Sequence, residues 1–220
     1  MAVSILKKKY RFDLLWQLVK TNFKMRYQNS VLGILWVLIK PYATFLVMFA
    51  IWSGFGGETI PNYSIYLLLG IIFYNYFQEL IMFGQMSLLE RANIILKVSF
   101  PRQIAVTSAL LNALINLGIN MILAFIIMLA RGVNISLSGI LYFFFLTLLV
   151  FIFCSGISFF VSIITVRFRD LKNIFDLGLF ILYWASPVFY ILGTPKVGNS
   201  LTEIVALNPI GVVLNQVRAA

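Results

Sequence analysis

The 220-residue sequence has no histidine, one cysteine and only seven acidic residues. The missing histidine removes the commonest metal ligand and the commonest general base. The single Cys154 lies inside an apolar run, so no disulfide can form within the chain. The acids are Asp13, Glu58, Glu79, Glu90, Asp170, Asp176 and Glu203, and only Glu79 lies well inside an apolar run. Paired-carboxylate chemistry therefore has no evident partner residues. No phosphate-cradling glycine–lysine loop is present. The expectation is a chain without a catalytic site, without a metal and without a cofactor of its own. No cleavable signal peptide is visible either, because the basic N-terminus leads into an amphipathic segment rather than a short apolar core.

Apolar surface is what the chain has in excess. Apolar residues make up 61% of it and its mean hydropathy is +0.97, against about 45–50% apolar for a soluble domain. Charge-free windows run from Gln103 to Ala130, from Gly132 to Val166 and from Leu177 to Pro195. A bilayer core needs roughly 20 helical residues. Barrel strands need only about ten alternating ones, and these runs are too long and too evenly apolar for that. The fold class expected is an all-α integral membrane protein, a multi-pass helical bundle, with 1–220 as one transmembrane domain. Spans are expected at 31–55, 63–86, 103–130, 139–166 and 174–192.

Flanking segments complete that outline. In residues 7–27, Phe12, Leu15, Trp16, Val19 and Phe23 recur at helical spacing, with Asp13, Gln17, Lys20 and Lys24 off the stripe. This reads as a basic amphipathic helix in the membrane interface, or as a helix packing on a partner. The hinge 87–102 is polar, and Pro101 suits the first turn of the next helix. Residues 193–220 hold two short apolar pieces broken at Asn208-Pro209, either an extracytoplasmic re-entrant hairpin or a disordered tail.

The net charge of +10 follows the loops rather than forming a nucleic-acid-binding face. Seven bases precede the first span, three lie in 87–102 (Arg91, Lys97, Arg102) and three in the hinge of Arg167, Arg169 and Lys172. The opposite side holds Arg131, Lys196 and Arg218. Thirteen bases against three put the N-terminus in the cytoplasm. Lys40 and Glu79 are the intramembrane ions, each costing about 2.5–3.5 kcal/mol at mid-bilayer. Lys40 either snorkels or lines a wet cavity, and a direct Lys40–Glu79 pair is a further hypothesis.

Aromatic residues are plentiful, with 21 Phe, 10 Tyr and 4 Trp, and lipid contact or interface belts account for most of them. Trp36, Tyr42, Phe45, Phe49 and Trp52 run deep along the first span, and Tyr183, Trp184, Phe189 and Tyr190 cluster around Pro187 in the fifth. Such flat apolar faces with polar handles suit either lipid packing or the C–H faces of sugar rings.

Four stretches carry a family resemblance. They are Arg26-Tyr27-Gln28-Asn29-Ser30-Val31-Leu32-Gly33-Ile34-Leu35-Trp36 with Lys40-Pro41, then Asn93-Ile94-Ile95-Leu96-Lys97-Val98-Ser99-Phe100-Pro101-Arg102, then Val166-Arg167-Phe168-Arg169-Asp170-Leu171, and finally Ser186-Pro187-Val188-Phe189-Tyr190 with Leu207-Asn208-Pro209. In this order they resemble the transmembrane permease subunit of ABC-2-type polysaccharide exporters, which move O-antigen, capsule or teichoic acid across the bacterial inner membrane. The resemblance implies six spans, of which the sixth is missing from the sequence as given. It departs where Gln103-Ile104-Ala105-Val106 stands in place of a further proline. It implies a homodimer, a lipid-linked glycan substrate and a separate cytoplasmic ABC ATPase that carries the ATP and Mg. It also implies a docking segment of Glu90, Arg91, Ile94, Leu96, Lys97, Phe100, Pro101 and Arg102, with anionic-lipid contact the other reading of its bases. The aromatics of spans one and five would line the path. The rivals are an ABC-2 exporter of a drug or small lipid, a membrane-embedded glycolipid transferase and an assembly or anchoring protein.

Overall fold

The computed structural model describes residues 2–27, 30, 32–53, 62–92, 101–133, 136–189 and 208–219. It is helical throughout, with no strand among the described residues. Helix α1 covers Ala2–Tyr27, a 3-10 turn covers Gly33–Leu35, and α2 covers Trp36–Ser53. Next come α3 (Tyr63–Met86), α4 (Arg102–Ala130), α5 (Leu137–Arg167), α6 (Leu171–Ala185) and α7 (Pro209–Ala219). Among the described residues, four segments are long and apolar enough to cross a membrane: Gly33–Trp52, Tyr63–Met86, Arg102–Ala130 and Leu137–Arg167.

The fifth expected span, 174–192, differs. Helix α6 starts three residues earlier and ends at Ala185 after 15 residues. At 1.5 Å per residue it reaches about 22 Å, short of the roughly 30 Å hydrocarbon core. The physical reason is Pro187, before which the backbone leaves the helix: Ser186 is extended and the Val188 N–H turns back to the Ser186 carbonyl at 2.7 Å. The coupling-segment residues Ile94, Leu96, Lys97 and Phe100, together with Tyr190 and the first hairpin piece, lie outside the described residues.

Helix α3 is the hub, packed on α4 and α5 along most of its length and on α2, α6 and α7 more locally. Leu67, Leu68, Ile71, Phe73, Tyr74 and Leu80 are all buried. Lipid gives little hydrophobic drive for helix association, so close approach and cross-helix hydrogen bonds must hold the bundle. Both are present. A Cβ at Gly84 would collide with Ser158 of α5, and the Ser158 hydroxyl donates to the Leu80 carbonyl at 3.0 Å. The α3 tyrosines reach outward: Tyr76 donates to the Thr147 carbonyl, Tyr74 to the Leu179 carbonyl at 2.6 Å, and Tyr63 to the Phe189 carbonyl at 3.0 Å. Opposite faces of α4 and α5 expose Ile122, Phe125, Ile126, Phe144, Phe145, Phe153 and Phe160. Apolar exposure on that scale marks a surface made for lipid or a partner.

Helix α1 lies along α4. Leu18 and Val19 are buried there, while Phe12 and Trp16 are exposed. The apolar stripe read from the sequence is therefore divided between bundle packing and an outward aromatic edge. Helix α7 is capped by Asn208, whose side-chain oxygen accepts from the Ile210 N–H at 3.0 Å, with Pro209 in the first turn.

Candidate functional site

Three places gather the residues singled out from the sequence. The first is a polar cavity of about 730 Å³ between α2, α3 and α4. Lys40 and Glu79 both line it, with Arg26, Asn75, Gln78, Asn116 and Asn120. Glu79 accepts from the Asn116 amide at 2.8 Å instead of pairing directly with Lys40. The direct pair is thus replaced by a shared cavity: the Asn116 amide, one helix away on α4, takes up the carboxylate. Lys40 is exposed, and the polar lining gives its ammonium a site other than lipid. The Arg26 guanidinium lies 3.4 Å over the Phe83 ring at the cavity edge.

Aromatic residues of α2 and α6 form the second place. They converge into one cluster: Phe45 stacks on Phe49 (5.7 Å), Phe49 on Tyr63 (6.3 Å), and Trp52 on Phe189 at 6.2 Å with planes 8° apart. Tyr183 lies edge-on to Phe189 at 5.0 Å and 4.8 Å from Tyr74. Phe189 is 2% exposed, so its ring is packing within the protomer. Trp36 and Trp184 keep open faces, at 39% and 46% exposed. Trp36 also donates its indole N–H to the Ser30 hydroxyl at 3.0 Å, and Tyr42 donates to the Asn120 carbonyl at 3.2 Å.

The hinge after α3 is the third. Glu90 is exposed, Pro101 is half-buried and Arg102 is exposed. Arg91 departs from its expected outward role. It is 3% exposed and donates to the Ser108 hydroxyl at 2.8 Å. Burial pushes its guanidinium down to about 10, opposed by the neighbouring Glu90 carboxylate. The inward turn has a simple cause: Ser108 on α4 offers an acceptor beneath the turn, and Asn22 of α1 reaches the same hydroxyl at 3.5 Å.

Two features were not read from the sequence. The Asn112, Asn116 and Asn120 side chains are all buried on one face of α4. Their spacing of four was the available signal, because polar amides rarely repeat at helical period within an apolar span. The other is Arg218, read only as an extracytoplasmic base. Its guanidinium donates to the carbonyls of Pro187 and Val188, both at 2.7 Å, and lies 3.5 Å over the Tyr66 ring. No sequence signal linked those positions, since 30 residues separate them.

Comparison with known proteins agrees with this architecture. The ABC-2 type transporter family matches residues 13–220. The "O-antigen export system permease protein RfbA" of Myxococcus xanthus is 27% identical over 209 residues, covering 94% of this chain and 80% of its own length. Two proteins of the same description from Klebsiella pneumoniae are 29% identical over 203 residues and 25% identical over 201 residues. Each alignment covers 91% of this chain and 77% of the relative. With the family matched over nearly the whole sequence and membrane-crossing helices beneath the match, this chain belongs to the ABC-2 type transporter family.

Proposed function

We propose that the chain is the membrane-spanning subunit of an ATP-driven exporter that moves a lipid-linked polysaccharide across the bacterial inner membrane. The observation that carries this is the similarity to three O-antigen export permeases along at least 77% of their lengths. In this reading the N-terminus is cytoplasmic, as the distribution of bases favours. Two copies form the path, and an ABC ATPase on a separate chain hydrolyses ATP. Helix α1 lies in the interface, Phe12 and Trp16 toward lipid. Helix α6 with the turn after it makes the fifth crossing. Helix α7 is half of a re-entrant hairpin, supported by its 11-residue length and its ties to that turn through Asn208 and Arg218.

Force from the ATPase enters through the hinge, with Glu90 and Arg102 as its exposed polar contacts and Ile94, Leu96, Lys97, Phe100 and Pro101 in the same segment. Arg91 braces the hinge from inside. ATP binding then shifts the dimer between closed and open states by differential affinity. Trp36 and Trp184 are the candidates for contact with sugar because their faces are open. The test is complementation. The chain, expressed with its ATPase in a strain lacking the corresponding permease, restores surface polysaccharide on a silver-stained gel. Failure to restore polymer, with restored efflux of a drug or small lipid instead, overturns the assignment.

A further inference from the structure

Helices α5 and α6 are joined by a tight hinge yet barely touch beyond it, because each packs instead on α3. The gap between them is a groove of about 340 Å³. Phe77 and Ile81 of α3 and Leu179 of α6 are buried and form its floor. Its walls are open. Ile157 of α5 and Phe175 and Leu182 of α6 are half-buried, while Ile174 and Gly178 are exposed. Every lining residue is apolar. A Cβ added at Gly178 meets nothing within 4 Å, so the groove is open space at that point.

Its mouth carries charge. Arg167, Arg169 and Lys172 lie close together in the hinge, all exposed, with Asp170 as the acid among them. The hinge is held in place by its backbone: the Phe168 N–H donates to the Ile164 carbonyl at 2.9 Å and the Asn173 N–H to the Asp170 carbonyl at 3.0 Å. The Arg167 guanidinium lies 5.7 Å over the Phe168 ring. Asp176 of α6 stands about half a turn away from both Ile174 and Gly178.

Charge and depth together define the occupant. The groove starts at Ile174, within a turn of Lys172, and runs about 12 Å along α6 to Leu182. One leaflet of a bilayer core is about 15 Å deep. Bases above an apolar slot of that depth fit one anionic lipid, phosphate outside and chain inside. A second copy of this chain fits less well, because its net charge is also +10. A glycan would find no hydrogen-bond partner in the slot.

We propose that the groove between α5 and α6 binds an anionic glycerophospholipid of the bilayer. Arg167, Arg169 and Lys172 hold its phosphate, and one acyl chain lies over Gly178 against Ile157, Phe175 and Leu182. The site is separate from the polar cavity and from the aromatic cluster, and it is independent of the cargo.

Photolabelling tests it in the full chain with its ATPase. The probes are phosphatidylglycerol with a diazirine in its acyl chain and phosphatidylcholine with the same chain, and peptide mass spectrometry maps the adducts. Phosphatidylglycerol labels residues 174–182 about tenfold more than phosphatidylcholine, while both label equally around Phe144, 69% exposed on the outer face of α5. Arg169→Gln with Lys172→Gln brings phosphatidylglycerol down to the phosphatidylcholine level. Gly178→Leu fills open space, so the protein still folds, and labelling of the groove by both lipids falls several-fold while that around 144 is unchanged. Equal labelling of the groove by the two lipids, or labelling indifferent to Gly178→Leu, overturns the site. Displacement of the phosphatidylglycerol probe by an equal amount of an isoprenoid phosphate assigns the groove to the lipid carrier of the cargo and overturns it. A groove that neither probe labels also overturns it, and a disulfide between two copies bearing Gly178→Cys and Cys154→Ser would then assign the face to a second copy. None of these outcomes bears on the exporter assignment, which complementation tests.

Discussion

The Arg91 guanidinium donates to the Ser108 hydroxyl at 2.8 Å and fastens the hinge after α3 to the start of α4. Ser108 in turn donates to the Ala105 carbonyl at 2.7 Å and receives Asn22 of α1 at 3.5 Å. Helix α1, the hinge after α3 and α4 therefore meet at one hydroxyl. Ser108→Ala leaves a buried guanidinium without its acceptor, at a cost on the order of 1–3 kcal/mol. The melting temperature of the detergent-solubilised protein should fall. Adding Arg91→Met should recover part of the loss, because the charge goes with its partner. Strictly additive losses would show that the two residues are not coupled.

Glu90 is the exposed neighbour of Arg91. Glu90→Arg should lower ATPase co-purification and uncouple hydrolysis from export, while membrane insertion stays unchanged. Pull-down of the ATPase with the tagged chain measures the first effect and surface polymer the second. Normal values for both would remove this side chain from the docking surface.

Phe189 and Trp184 separate packing from transport. Phe189 is stacked on Trp52 and fully enclosed, so Phe189→Ala opens a cavity worth about 3–5 kcal/mol. Trp184 is 46% exposed, so Trp184→Ala should leave the melting temperature nearly unchanged and reduce polymer export if its open face meets sugar. Equal destabilisation by both changes would contradict the division.

Arg218 clamps the turn that ends α6. Arg218→Lys keeps the charge and loses the fork that reaches two carbonyls at once, so it should behave as a loss. Gly70→Leu should act in the same way, because a Cβ there collides with the guanidinium. Each change should speed proteolysis near residue 188 in detergent. Protection equal to that of the unmodified chain would show that other contacts hold the turn.

Gly84 is the contact point of α3 and α5. Gly84→Val forces the helices apart against Ser158, an overpacking cost of about 1–3 kcal/mol. Size-exclusion chromatography of a fluorescent fusion should show less monodisperse protein. Gly156, which has open space around it, should accept alanine without loss.

How far the site was legible follows from which interactions are local. The bilayer reads hydropathy over 18 or more residues, so α2 to α5 could be read directly from the sequence. Pro187 could be read as a break only after the turn was seen, because a transmembrane helix often carries proline without ending. Lys40 and Glu79 were identifiable as costly intramembrane ions, but the amide that satisfies Glu79 comes from α4, 37 residues on. The outward role of Arg91 is what the family resemblance implies; Ser108 turns it inward. The aromatic stripes were visible as stripes, and only their convergence on Phe189 shows how many of those rings are spent on one another.

By itself, then, the sequence determined the solvent, four of the five expected long apolar helices and the family. Each of these depends on composition over a window or on the order of motifs along the chain. Tertiary structure alone decided which polar groups meet: Glu79 with Asn116, Arg91 with Ser108, Arg218 with the carbonyls after α6. The reason is that a partition between water and lipid sums over many residues, whereas a hydrogen bond needs two atoms within about 3 Å, and helix packing alone brings distant residues that close.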